Sequence, residues 1–86
     1  MTNTTFNGWA NYETWNVSLY INNEYHLYKA AESYVMYQKE LGLDVKYDEF
    51  RQYYIDLLGT TADGVSCNDP SLNHDELNEM LTELVD

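Results

Sequence analysis

In four stretches of this chain apolar residues recur at three- and four-residue spacing, and the first three end at residues through which a helix does not readily continue. The first runs from about Tyr12 to Asn22 after the Asx-type cap Asn11, with Tyr12, Trp15 and Leu19 in one row and Val17, Tyr20 and Ile21 on the other side. Apolar around much of its circumference, it is expected at the centre of a small bundle. Asn22 and Asn23 then interrupt. A second helix is expected from about Glu24 to Leu41, with Leu27, Ala31, Tyr34 and Leu41 inward and Gly42 as its C-terminal cap. A third is expected from about Tyr47 to Leu58, with Phe50, Tyr54 and Leu57 inward, Asp48 and Glu49 in the first turn and Gly59 just past the end.

The last helix has the best-marked start. Asn73 with Glu76 three residues later forms an Asx variant of the capping box, and Leu72 and Leu77 are placed for a hydrophobic staple. Leu77, Met80, Leu81 and Leu84 make a narrow inner stripe that leaves Asp75, Glu79 and Glu83 outside. Before Tyr12 an N-terminal arm is expected, residues 1–10, with Gly8 allowing a sharp turn just before Trp9 and the aromatics Phe6 and Trp9 expected to tuck back; between the last two helices a loop is expected, residues 60–71. A connection of about a dozen residues is near the upper limit for a compact domain and calls for a reason.

With 86 residues, a chain buries only about 60–65% of its unfolded surface, enough for one core and not two. The expected fold is therefore mainly α, a single-domain bundle of three to four helices spanning 1–86, with room for a short strand near Val45 or in the arm. Hydrophobic residues at 44% and aromatics at 15% argue against disorder. Cys67 is the only cysteine, so no disulfide framework staples the fold, and together with the lack of a leader-like start or a long apolar run this gives a cytoplasmic expectation.

Fifteen Asp and Glu against four Lys and Arg give a formal net charge of −11. Direct contact with nucleic acid or an anionic membrane is disfavoured, and a basic protein partner is favoured. Catalytic equipment is sparse: His26 and His74 fall in different helices, Cys67 has no nearby base to lower its pKa, and no phosphate-binding glycine motif is present. Asp63, Gly64, Ser66, Asn68 and Asp69 supply oxygen ligands, but Gly64 directly after Asp63 breaks the EF-hand order, so turn chemistry is the better reading. No metal, cofactor or enzymatic activity is expected.

The distribution of acids says more than their total. After Arg51 the chain has no Lys or Arg, yet it carries Asp56, Asp63, Asp69, Asp75, Glu76, Glu79, Glu83 and Asp86. Asp75, Glu79 and Glu83 stand one helical turn apart, roughly 6 Å by helical rise, an arrangement that costs the helix a few tenths of a kcal/mol per pair. A solvated face accounts for any single one of them; the lack of local cations favours a surface that mimics the phosphates of DNA. The expected partner-binding residues are Asp63, Asp69, Asp75, Glu76, Glu79, Glu83 and Asp86. The rival expectation is an assembly module that packs on a partner or on a second copy through Phe6, Trp9, Tyr12 and Tyr20, because the aromatics exceed what one small core requires. Tyr37 and Tyr53 also fall off the apolar stripes and suit a contact surface.

The run Asn11-Tyr12-Glu13-Thr14-Trp15-Asn16-Val17, continued by Leu19, Tyr20, Ile21 and Asn22, resembles the opening motif of a family of short uncharacterised phage and bacterial proteins. Asp63-Gly64-Val65, Asp69-Pro70 and Glu76-Leu77-Asn78-Glu79-Met80 are similar to the C-terminal part of the same family. The resemblance carries no activity, cofactor or site residue. It implies a phage or mobile-element setting, in which small acidic proteins often inhibit host defence or nucleic-acid enzymes, including restriction and CRISPR systems. That implication is one of setting only.

Overall fold

A computed structural model describes residues 8–54 and 59–85. Among the described residues four helices follow one another: α1 Tyr12–Asn23, α2 Tyr25–Leu41, α3 Tyr47–Tyr53 and α4 His74–Glu83. The expected mainly helical, single-core fold is what forms, and Thr60 and Ser66 form an isolated antiparallel bridge.

A single non-helical residue, Glu24, separates α1 from α2 and caps both. The end of α2 lies where Gly42 was expected to place it. Gly42 adopts φ 72°, its N–H reaches the Lys39 carbonyl, and the Leu43 N–H reaches the Gln38 carbonyl at 2.8 Å. That paired closure needs a left-handed residue, which only glycine supplies without steric cost. Leu41, expected inward, is 52% exposed: it falls beyond the arc of Leu27, Ala31, Tyr34, Val35 and Gln38 that α2 buries. α3 ends at Tyr53, earlier than expected, with Tyr54 as its cap; Leu57 and Asp56 lie outside the described residues.

Every element contributes to the core: Val17 and Ile21 from α1, Leu27, Ala31, Tyr34 and Val35 from α2, Tyr47 and Phe50 from α3, Leu77 and Leu81 from α4, and Cys67 and Leu72 from the connection before α4. That connection has the reason its length demands, since it plugs the core instead of passing over it. It is folded by the Thr61 N–H to Val65 O and Cys67 N–H to Gly59 O bonds, 2.8 and 3.0 Å, and its Cys67 carbonyl accepts the buried Tyr47 hydroxyl at 2.6 Å.

The inner face of α1 differs from the expected one. Of the row Tyr12, Trp15 and Leu19, Tyr12 and Leu19 face outward, 36% and 40% exposed, and Trp15 is half-buried, while the buried row contains Thr14, Asn16 and Ser18 beside Val17 and Ile21. Thr14 and Asn16 are tolerated there because the side chain of each has partners. Asn11 caps α1 through Oδ1, which accepts the Thr14 N–H at 2.8 Å and the Thr14 hydroxyl. The Thr14 oxygen in turn accepts the Asn73 N–H at 2.9 Å, and Asn11 Nδ2 donates to the Ser71 carbonyl at 2.6 Å. Deeper in, Asn16 Oδ1 accepts the Thr61 hydroxyl and Asn16 Nδ2 donates to Asp63 Oδ2 at 2.7 Å. A polar seam thus joins α1 to the connection and to the start of α4.

Candidate functional site

α4 begins at Asn73, whose side chain accepts the Glu76 N–H at 3.1 Å. The reciprocal half of the expected capping box is replaced. The Asn73 N–H is taken by Thr14, and Glu76 Oε1 instead accepts the Ala10 N–H at 2.7 Å, which holds the end of the arm against the first turn of α4. Leu77 and Leu81 are buried and Met80 and Leu84 half-buried, so the opposite side of the helix is left to Asp75, Glu79 and Glu83, all exposed.

The cations lie elsewhere. Lys29 pairs with Glu32 at 2.7 Å and Arg51 with Asp48 at 2.8 Å, each within its own helix. Those pairs shift both kinds of group in the expected sense: the hydrogen bond to Glu32 raises the Lys29 pKa, and the hydrogen bond from Arg51 lowers that of Asp48. Lys39 reaches the end of α4 but donates to the Val85 carbonyl, a favourable position for a cation at a helix C-terminus. Among the described residues no cation comes within ion-pair distance of Asp75, Glu79 or Glu83.

The other acids expected to bind a partner are distributed differently. Asp63 Oδ2 is occupied by the Tyr12 hydroxyl at 3.1 Å and by Asn16. Asp69 turns back on Ser71, accepting its hydroxyl at 2.6 Å and its N–H at 2.8 Å, and these bonds lower its pKa. Glu76 is half-buried, with one oxygen engaged by the arm. Asp86 and Phe6 lie outside the described residues. Of the expected set, Asp75, Glu79 and Glu83 form the continuous unengaged row.

The rival aromatic residues do not form one patch. Tyr12 stacks obliquely on Trp15, ring centroids 5.7 Å apart, and its hydroxyl is held protonated to higher pH by burial and then by Asp63. Tyr20 is half-buried and lines a cleft of about 250 Å³ with Asn16, Leu19 and Asp63. Trp9 lies elsewhere. With Gly8 it forms one wall of a shallow groove of about 190 Å³ whose other wall is the Glu76, Glu79, Met80 and Glu83 side of α4. Residues that the sequence offered as alternatives, Trp9 and the α4 carboxylates, are therefore neighbours. No local signal announces this, because it arises from the Ala10 to Glu76 bond across 66 positions. Tyr37 and Tyr53 are 61% and 69% exposed, as their place off the stripes implied.

Cys67 is buried, and burial pushes its thiol up to about 11, away from nucleophilic use at neutral pH. His74 is exposed in the first turn of α4, where its ring meets the edge of Tyr47 at 5.7 Å. Among the described residues no cluster of three or more His, Cys, Asp or Glu has the arrangement to hold a metal ion, and no helix is long and apolar enough to cross a membrane.

Residues 2–86 match the model of a family of unknown function, DUF7249, and the chain belongs to that family. No curated protein and no solved structure matches it.

Proposed function

We propose that this member of a family without an assigned activity is a non-enzymatic binding protein that presents the outer face of α4 to a basic, nucleic-acid-binding protein. The observation that carries the reading is the row Asp75, Glu79 and Glu83, exposed one turn apart while Lys29 and Arg51 are spent on Glu32 and Asp48. A helix gains nothing from such a row. A Lys- and Arg-lined groove on another protein gains an electrostatic complement spaced much like a phosphate backbone, which speeds encounter and disfavours wrong partners.

With the phage setting that the opening motif implies, the reading becomes an inhibitor of a host or defence enzyme, of the anti-restriction or anti-CRISPR kind, acting in the host cytoplasm by occupying the nucleic-acid site. Asp63 and Asp69 belong to the same base-free third, and in this reading they extend the field without making the principal contacts.

The test is capture of host-lysate proteins on the tagged chain, with nuclease present and at stepwise salt, beside the triple variant Asp75→Lys, Glu79→Lys, Glu83→Lys. A nucleic-acid-binding protein retained by the parent, released by salt and lost on the triple variant is the expected result. Loss by unfolding is distinguished by measuring helicity alongside, since Lys at position 83 suits the last turn of α4 whereas Lys at position 75 opposes the first. Equal retention by parent and variant removes the mechanism.

A further inference from the structure

We propose that the groove between Trp9 and α4 seats a single arginine side chain of the partner, an inference that rests on the reading of α4 as a surface for a basic protein and names the contact at its centre. Carboxylates alone make only a solvated face. What sets this place apart is the concavity, in which an indole and a thioether line the same space as Glu76, Glu79 and Glu83.

Size restricts the occupant. At about 190 Å³ the groove falls below the roughly 300–1,000 Å³ of small-molecule sites, so it suits one side chain and not a metabolite. Chemistry narrows it further. Glu76 keeps its charge but commits Oε1 to the Ala10 N–H, which leaves Glu79 and Glu83 as the exposed carboxylates with both oxygens open to a donor. Trp9 and Met80 add polarizable apolar surface.

A group that needs both is flat, weakly hydrated and cationic, with an aliphatic stem: the guanidinium of arginine stacks on an aromatic face and offers forked donors to a carboxylate. The ammonium of lysine is a compact and strongly hydrated point charge that uses the carboxylates but gains less from the indole. Binding by a second copy of this chain is opposed by a net charge of −11 on each molecule.

The experiment is a titration of the isotope-labelled full chain with hexa-arginine and with hexa-lysine at low salt, followed by NMR. The Trp9 indole N–H resonance is identified by its disappearance in Trp9→Leu. Expected is a shift of that resonance with hexa-arginine and little with hexa-lysine, and binding of hexa-arginine weakened about threefold by Trp9→Leu while hexa-lysine binding stays unchanged. Glu79→Gln and Glu83→Gln, which leave the indole in place, weaken both peptides.

If the α4 amides shift while the Trp9 indole stays still, or if both peptides move the indole equally, the arginine seat is overturned and the acidic face stands. If neither peptide moves any resonance, the acidic face is lost and the groove with it.

Discussion

Thr14 is where two helix caps meet, and replacing it by Val removes one hydroxyl with almost no change of shape. Thr14 is fully buried; its hydroxyl donates to the α1 cap residue Asn11, and its oxygen accepts the N–H of the α4 cap residue Asn73 at 2.9 Å. In Thr14→Val the Asn11 cap persists, because Asn11 Oδ1 still takes the Thr14 N–H. The Asn73 N–H loses its acceptor. An unpaired buried donor costs about 1–3 kcal/mol, and because Asn73 is only half-buried water recovers part of it, which leaves about 1–2 kcal/mol. For a domain of this size that lowers Tm by roughly 4–8 °C per kcal/mol, and it is a large share of a total stability of about 4–13 kcal/mol. Thermal and urea unfolding by circular dichroism reads the loss, and amide exchange locates it. Thr14→Ser costs about 0.8 kcal/mol for the buried methyl but keeps Asn73 protected, whereas Thr14→Val exposes that amide to exchange. Unchanged Asn73 protection in Thr14→Val, with Tm within 2 °C of the parent, refutes the coupling of the two caps.

Further outcomes follow from the same contacts. The Tyr34 hydroxyl is pushed up to about 12, chiefly by burial, and that of buried Tyr47 also rises. A raised folded pKa gives stability that is complete below the ordinary tyrosine value near 10 and is lost as pH climbs toward 12, so the urea midpoint should fall across that window. The part of the 295 nm tyrosinate absorbance that disappears in Tyr34→Phe and in Tyr47→Phe should then rise together with loss of helix; its rise well before helix loss would contradict it. Cys67, buried under the connection, should react with iodoacetamide in native protein at least a hundredfold more slowly than in urea, and comparable rates would place the thiol at the surface. Asp63→Ala leaves Asn16, which is 4% exposed, without its acceptor and should cost about 1–2 kcal/mol. Glu79→Ala should stay within about 0.5 kcal/mol, and the difference between the two midpoints measures which acid the fold uses.

Much of the architecture was legible because it is written locally. Asn11, Gly42 and Asn73 act at helix ends through bonds to residues at most a few positions away, and the narrow stripe of α4 needs only its own periodicity. What was not legible comes from distance. Tyr12, Trp15 and Leu19 have the better helical spacing for an inner face, yet Thr14, Asn16 and Ser18 are inside, because Thr61, Asp63 and Asn73 arrive from more than forty positions away to satisfy two of them. Hydrophobic periodicity cannot see such partners. The same holds for Glu76: the capping-box pattern assigns its carboxylate to its own helix, and the Ala10 N–H claims it instead. The spacing Asn11-x-x-Thr14 was the one available hint of the seam, since a capping Asn with Thr three residues on offers a hydroxyl at a helix start.

The polar seam bears on how this molecule responds to cooling. Amide and hydroxyl groups of Thr14, Asn16, Ser18 and Thr61 fill space that hydrocarbon occupies in most bundles. Hydrating polar surface lowers the heat capacity increment of unfolding, while hydrating hydrocarbon raises it. Relative to the same bundle with hydrocarbon in those places, the seam therefore lowers the increment, which broadens the free-energy profile against temperature and moves cold unfolding lower.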